Sequence, residues 1–338
     1  RLSLIPMVSA MAAGNTVVVK PSELPASTSH VMATMINEHF PAEYLRVVEG
    51  GVPETTALLQ QKWDKIFFTG STNVGKIVYE AAAKNLTPVT LELGGKNPAI
   101  VTSNTNLKDA AKRIIWSKFL NAGQTCITPD YILIDRSVEA EFLDHAKAYI
   151  QKFDYSFEHG NYVQIINDRN FQRLLKLLDR NKIFAGGEVH PETRYIAPTI
   201  LTKVTFEDPI MQEEIFGPLL PVISYADLDD AFNLVVPKPK PLACYIFTHD
   251  ARIKAKFLNE LSFGGGAIND TVMHISNPHL PYGGVGESGT GSYQFQSGFA
   301  TFSHYKAVLS KPFWFEPDFK YPPYTKRKFA FVKWLLAH

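Results

Sequence analysis

Short β-branched runs alternate with helical patterns through the first third of the chain, and few folds accommodate that alternation. Residues 16–20, 45–49 and 65–69 read as strands, and residues 27–39, 53–61 and 73–85 as helices. Parallel strands need a crossover connection, which is usually a helix. The pattern therefore predicts βαβ units and a parallel sheet. Such a sheet binds ligands beyond the carboxyl ends of its strands.

The alternation continues with strands at 88–93, 99–102 and 130–134 and helices at 107–120, 139–152 and 168–180. Residues 209–221, punctuated by prolines and acids, read as a loop holding a site. A further αβ alternation runs from 228 to 269, and the Gly-rich stretch 281–298 reads mostly as loop. The first residues, from Arg1 to Met7, read as the middle of an apolar helix, so we expect upstream sequence before them. The 338 residues, without a repeat of fixed period, suggest about two domains.

Charge narrows the function classes. Lys plus Arg is 34 and Asp plus Glu is 33, a net charge of +1. That balance argues against a nucleic-acid binder, which carries a basic excess. Two cysteines exclude a disulfide framework and a Cys-rich zinc site, and no metal is expected. No apolar run reaches the roughly 18 residues of a membrane span. After Asp318 the tail holds no acid, while Lys320, Lys326, Arg327, Lys328 and Lys333 are interleaved with Phe329, Phe331, Trp334, Leu335 and Leu336. A basic, aromatic stretch can lie on an anionic membrane surface. The plainer reading, favoured because basic terminal tails are common, is a short helix against a neighbouring subunit or a frayed end.

Five segments carry candidate chemistry. Gly70-Ser-Thr-Asn-Val-Gly75-Lys76-Ile77 follows a strand and nearly spells a P-loop, but Ile77 stands where a hydroxyl must ligate magnesium. A strand–glycine turn–helix still offers backbone N–H groups to a dinucleotide pyrophosphate, or is simply a turn. Lys20 and Glu23 lie just past the first strand, where a carboxylate can accept from ribose hydroxyls. Ser22 or Ser27 capping the next helix is the alternative. Cys126, in a polar Gly-Gln-Thr-Cys loop after a helix, suits a thiolate nucleophile better than Cys244, which sits in an apolar strand. Glu92, in the apolar strand before Gly94-Gly95, would be partly desolvated, raising its pKa toward that of a general base working near pH 7. A structural ion pair with Lys96 is the alternative. Glu213, Glu214 and Phe216 set adjacent acids and an aromatic in a turn.

Taken in order, VVVKPSE, FTGSTNVGK, LELGGKNP, AGQTC, EEIFGP and PYGGVGESGTG resemble the NAD(P)-dependent aldehyde dehydrogenase family. The likeness runs from about Ile5 to the end of the chain. Pro129-Asp-Tyr131, Ile165-Ile-Asn167, Thr301-Phe-Ser-His304 and Tyr321-Pro-Pro323 resemble its class 3 branch, which includes the fatty aldehyde dehydrogenases.

The resemblance implies an α/β fold: a Rossmann-type parallel-sheet cofactor domain, an α/β catalytic domain and a small bridging or oligomerisation segment. We expect them at residues 1–90, 91–300 and 301–338. It implies Cys126 as nucleophile, Glu92 as the base that activates water, and oxidation of a medium- to long-chain aliphatic or aromatic aldehyde to its acid. For the cofactor it implies Lys20 and Glu23 at the adenosine ribose and Ser71, after Gly70, at the pyrophosphate, with Gly75 and Leu93 also among the cofactor-binding residues. Glu214 and Phe216 would hold the nicotinamide ribose and ring. NAD is expected over NADP, because Glu23 repels a 2′-phosphate. An Asn of the family's Trp-Asn-Phe/Tyr-Pro-like segment, which lines the oxyanion hole, would precede Arg1. A homodimer is implied, in the cytoplasm, with at most peripheral membrane contact. A non-catalytic relative, a CoA-acylating relative and a P-loop hydrolase are the alternatives.

Overall fold

The computed structural model describes residues 2–337. The chain divides into two compact units, the first ending at Ser303 and the second beginning at His304. The expected border at residue 90 falls inside the strand Val89–Glu92.

In the first unit, the large sheet orders seven strands as Gly265–Ile268, Ala243–Phe247, Pro98–Val101, Tyr131–Asp135, Leu219–Tyr225, Thr199–Leu201 and Ile183–Ala185. Neighbours run parallel except at the last, Ile183–Ala185, which is antiparallel to Thr199–Leu201. The central strands are buried on both faces, with Ile100, Ile132, Leu133, Leu220 and Tyr245 at 0% exposure. Double burial makes such strands continuous apolar runs instead of alternating ones. The helix Leu107–Phe119 buries Leu107, Ala110, Ala111, Ile114 and Ile115, and packs on the helix Glu139–Phe153. Asn106 starts the first of these, its side chain accepting from Asp109 N at 3.0 Å.

The strands of the first third were expected in one parallel sheet, but they form two small ones. Val17–Val19 pairs in parallel with Leu45–Val47. Ile66–Thr69 pairs in parallel with Val89–Glu92, whose other edge takes the antiparallel Gly289–Thr290. Among the described residues no ladder joins the two sheets. Periodicity identifies a strand but not its neighbour. Each sheet has its own apolar cluster, Ala33, Ile36, Leu45 and Val47 for one and Val78, Leu91 and Leu93 for the other.

Two stretches read as loop are more ordered than that. A strand begins at Leu219 and runs through Pro221, because Leu219 and Leu220 are drawn fully into the core. The Gly-rich stretch contains Gly289–Thr290 and the start of the helix Phe295–Thr301. The opening helix spans Leu4–Ala12.

The second unit holds the helix Lys326–Leu336, begun by Thr325, whose hydroxyl accepts from Lys328 N at 3.3 Å. Phe331 meets Phe319 at 5.1 Å and Trp334 at 6.1 Å. Glu316 pairs with Lys311 and Lys320. None of that helix is buried, and Phe329, Trp334 and Leu336 are exposed. Among the described residues no helix is long and apolar enough to cross a membrane.

Candidate active site

The segment carrying Cys126 is shaped by backbone strain. After Phe119 the chain makes a tight 3-10 turn in which Asn121, Ala122 and Gly123 all take positive φ, at 53°, 52° and 72°. Left-handed conformations cost a non-glycine residue free energy and cluster at functional sites. Gly123 also admits a close approach: a Cβ there would lie 2.2 Å from the carbonyl oxygen of Gly217. The Cys126 loop is thereby seated against the loop that carries Glu214 and Phe216, itself kinked at Phe216 with φ 45°. Buried Asn97 fixes the loop from below. Its amide donates to the carbonyls of Cys126 at 2.8 Å and Thr128 at 3.0 Å, and accepts from Ala243 N at 2.9 Å. The Tyr245 hydroxyl donates to Ile127 O at 2.6 Å.

Cys126 is half-buried, and its Sγ lies 3.3 Å from the Tyr282 hydroxyl. Burial pushes its thiol up, the Tyr282 hydrogen bond pulls it back, and the charges of Glu214 and Glu92 add to the rise. Cys244 is fully buried in Ala243–Phe247.

Glu92 ends its strand at 2% exposure, and neither carboxyl oxygen has a hydrogen-bond partner. Burial pushes it up to about 9, beyond the neutrality expected from the sequence. Lys96 is not its partner. The Lys96 ammonium lies 2.5 Å from Asp130 and donates to the carbonyls of Ile210 at 3.0 Å and Glu213 at 2.9 Å. Asp130 in turn accepts from Ile215 N at 2.9 Å. This buried network clamps residues 210–215 onto the Gly94–Lys96 turn.

Glu214 sits inside the clamp. A Cβ on Gly94 would lie 2.1 Å from its Oε2, so only glycine leaves room for the carboxylate. Burial, then the charge of Asp130, push Glu214 up to about 7, while the Gly95 backbone N–H, Lys96 and Lys118 pull it down. Lys118 is wholly buried, its ammonium without a hydrogen-bond partner, and burial brings it down to about 8. Lys118, Asn97 and Tyr282 escaped the sequence reading. Lys118 had a signal: it falls on the same stripe as Leu107, Ala111 and Ile114, where helical spacing predicts an apolar residue. Asn97 and Tyr282 sat inside recognised motifs without any pattern marking them.

The remaining candidates lie at the ends of the smaller sheets. Lys20 and Glu23 follow Val17–Val19 and form an ion pair at 3.3 Å. The Glu23 carboxyl is held low by its own backbone N–H and by Lys20. The next helix starts at Ala26 after Pro25 with no side-chain cap, so neither Ser22 nor Ser27 caps it. Ser71 caps the helix Thr72–Ala83, its hydroxyl accepting from Val74 N at 3.5 Å, directly after Gly70. Gly75 and Leu93 face one another: a Cβ on Gly75 would lie 2.6 Å from Leu93 Cδ2, so glycine lets helix and strand end close together.

A dinucleotide needs donors for its pyrophosphate and acceptors for its ribose hydroxyls. The first N–H groups of the helix after Ser71 have no intrahelical partner, and they favour an anion. Glu23 supplies a carboxylate just past a strand end, and Glu214 supplies one from the loop before Leu219–Tyr225. The donor set therefore fits NAD(P).

Comparison with known proteins agrees with this chemistry. The model of the aldehyde dehydrogenase family matches residues 2–308. The dimeric NADP-preferring aldehyde dehydrogenase of Mus musculus is 47% identical over 326 residues, 95% of this chain and 72% of that protein. Aldehyde dehydrogenase family 3 member A2 of Mus musculus is 44% identical over 339 residues, 99% of this chain and 70% of that protein. The solved substrate-bound state of Staphylococcus aureus AldH superposes with a TM-score of 0.94 at 46% identity, covering 98% of this chain and 73% of that one.

Proposed function

The chain belongs to the aldehyde dehydrogenase family, in its class 3 branch, and from that premise we propose that Cys126 and Glu92 carry out the oxidation. The enzyme is an NAD(P)-dependent aldehyde dehydrogenase. The substrates we assign are medium- to long-chain aliphatic or aromatic aldehydes. The observation that carries the catalytic assignment is a half-buried thiol in electrostatic reach of a buried carboxyl that has no structural partner.

The Cys126 thiolate attacks the aldehyde carbon and forms a thiohemiacetal. When bound, NAD(P) supplies the hydride acceptor. Collapse of the thiohemiacetal leaves a thioester on Cys126. Glu92, in its ionised form, takes a proton from water, whose oxygen attacks the thioester carbon. The carbon–sulfur bond breaks, the acid leaves and the thiolate is restored.

Lys20 and Glu23 hold the adenosine ribose, and Glu23 favours NAD over NADP. Gly70, Ser71 and the helix they open receive the pyrophosphate, with Gly75 and Leu93 packed beneath. Glu214 and Phe216 hold the nicotinamide ribose and ring. We assign a homodimer, in the cytoplasm. The exposed aromatics among the lysines of Lys326–Leu336 support peripheral contact with an anionic membrane. Flotation with anionic vesicles tests that contact, and protein left at the bottom refutes it.

The deciding assay is NADH formation from NAD and decanal by the protein and by Cys126→Ala. Turnover that vanishes in the variant is expected. Turnover that survives it refutes the nucleophile, and no turnover with any of several aldehydes refutes the substrate class.

A further inference from the structure

We infer that Tyr282 is a further catalytic residue, its phenol donating a hydrogen bond that holds the Cys126 sulfur as thiolate. This rests on Cys126 being the nucleophile. The hydroxyl lies 3.3 Å from Sγ, and the ring is 5% exposed. Its position is fixed by backbone and side chains together. Tyr282 N donates to Tyr293 O at 3.1 Å, and Tyr293 N donates back to Tyr282 O at 2.7 Å. The Tyr293 ring meets it edge-on at 5.6 Å, and His274 stacks on it at 6.4 Å. The backbone bridge fixes the main chain, and burial with the two ring contacts restricts rotation of the phenol away from the sulfur.

The sulfur needs such a donor. Burial disfavours its charged form, and the carboxyls that weigh on it, Glu214 from its loop and Glu92 from its strand, oppose ionisation further. His274, stacked behind Tyr282, is no counter-ion: burial lowers its pKa, outweighing the Thr271 backbone and the Asp270 charge that raise it. A phenol suits the task because burial keeps its own proton in place, so it donates without titrating. The thiol proton leaves Sγ for water or for ionised Glu92, and Tyr282 keeps its own.

The bond then serves two steps. In the attack, the sulfur–carbon bond forms and the carbonyl electron pair moves to oxygen. In hydrolysis, that bond breaks and the sulfur leaves as thiolate, again beside the phenol. Each unit of lowered thiol pKa gives about ten-fold more thiolate, while intrinsic nucleophilicity loses only about 0.4–0.5 of a log unit. The net effect near neutral pH is a faster attack.

The test is the pH profile of iodoacetamide alkylation on the intact chain, which requires neither cofactor nor aldehyde. Cys126→Ala gives the blank, since Cys244 is fully buried. Tyr282→Phe keeps the ring and removes the donor. Its midpoint is expected to rise by about one pH unit, with alkylation at pH 7 slowed about three- to four-fold, because the more basic thiolate recovers part of the roughly ten-fold loss of ionised sulfur. Replacing Tyr282 with a ring-fluorinated tyrosine, a stronger donor, is expected to move the midpoint down, and decides the matter if the Phe variant does not fold. Profiles that coincide with the parent's overturn Tyr282's role, whatever the turnover. A shifted profile in a protein that oxidises no aldehyde keeps the hydrogen bond and loses the nucleophile reading instead.

Discussion

Replacing Glu92 with Gln should stabilise the protein while stopping its catalytic cycle. Burial raises the carboxyl from its ordinary 4.5 to about 9, so the folded chain holds it neutral across the neutral range. The unfolded chain ionises above pH 4.5 and gains free energy that the folded chain does not. The stability tied to the neutral carboxyl is therefore complete below pH 4.5 and is lost progressively as pH climbs toward 9. Between pH 5.5 and 7.5 the loss is about 2 × 1.36, or about 3 kcal/mol. Gln has the same shape and no charge to lose, so its stability should not follow that slope. Urea unfolding of parent and Glu92→Gln at both pH values measures it. The variant's advantage should grow by about 3 kcal/mol from the lower pH to the higher. An advantage independent of pH would refute the neutral carboxyl and the desolvation argument with it. The same variant should still form its thioester, giving a burst of about one NADH per site. Steady turnover should fall by about 10²–10⁴-fold.

Three further outcomes follow from the same geometry. If thioester hydrolysis limits turnover, kcat should climb about ten-fold per pH unit from 7 to 8 and level off near 9, the value to which Glu92 is pushed; a profile flat above pH 7 would contradict it. Gly123→Ala places a methyl 2.2 Å from Gly217 O at φ 72°, and should cost about 1–3 kcal/mol by thermal unfolding and most of the activity. Glu23→Gln removes an exposed carboxylate held in its charged form, and should raise the ratio of NADP to NAD kcat/KM several-fold; an unchanged ratio would separate Glu23 from cofactor choice.

Much of this protein was legible along the chain. The strand, Gly70-Ser71 turn and helix appear where their spacing predicts, because a strand's two-residue period and a helix's 3.6-residue period are local properties. Cys126 and Cys244 could be told apart by their neighbours alone, polar loop against apolar strand. Local pattern did not say that Val17–Val19 and Ile66–Thr69 belong to separate sheets, nor that Leu219–Tyr225 is a strand despite Pro221.

The sequence determined which groups are present and in what order, and the tertiary structure decided what each one feels. Lys96 follows Glu92 closely in the chain, yet it pairs with Asp130 and leaves Glu92 alone and neutral. Tyr282 lies far along the chain from Cys126 and ends within hydrogen-bond distance of its sulfur. Lys118, a surface residue by type, is buried beside an acid that it helps to keep charged. Ionisation depends on how much water a group has lost and on which charges stand within a few ångströms, and both are set by packing between segments distant in sequence.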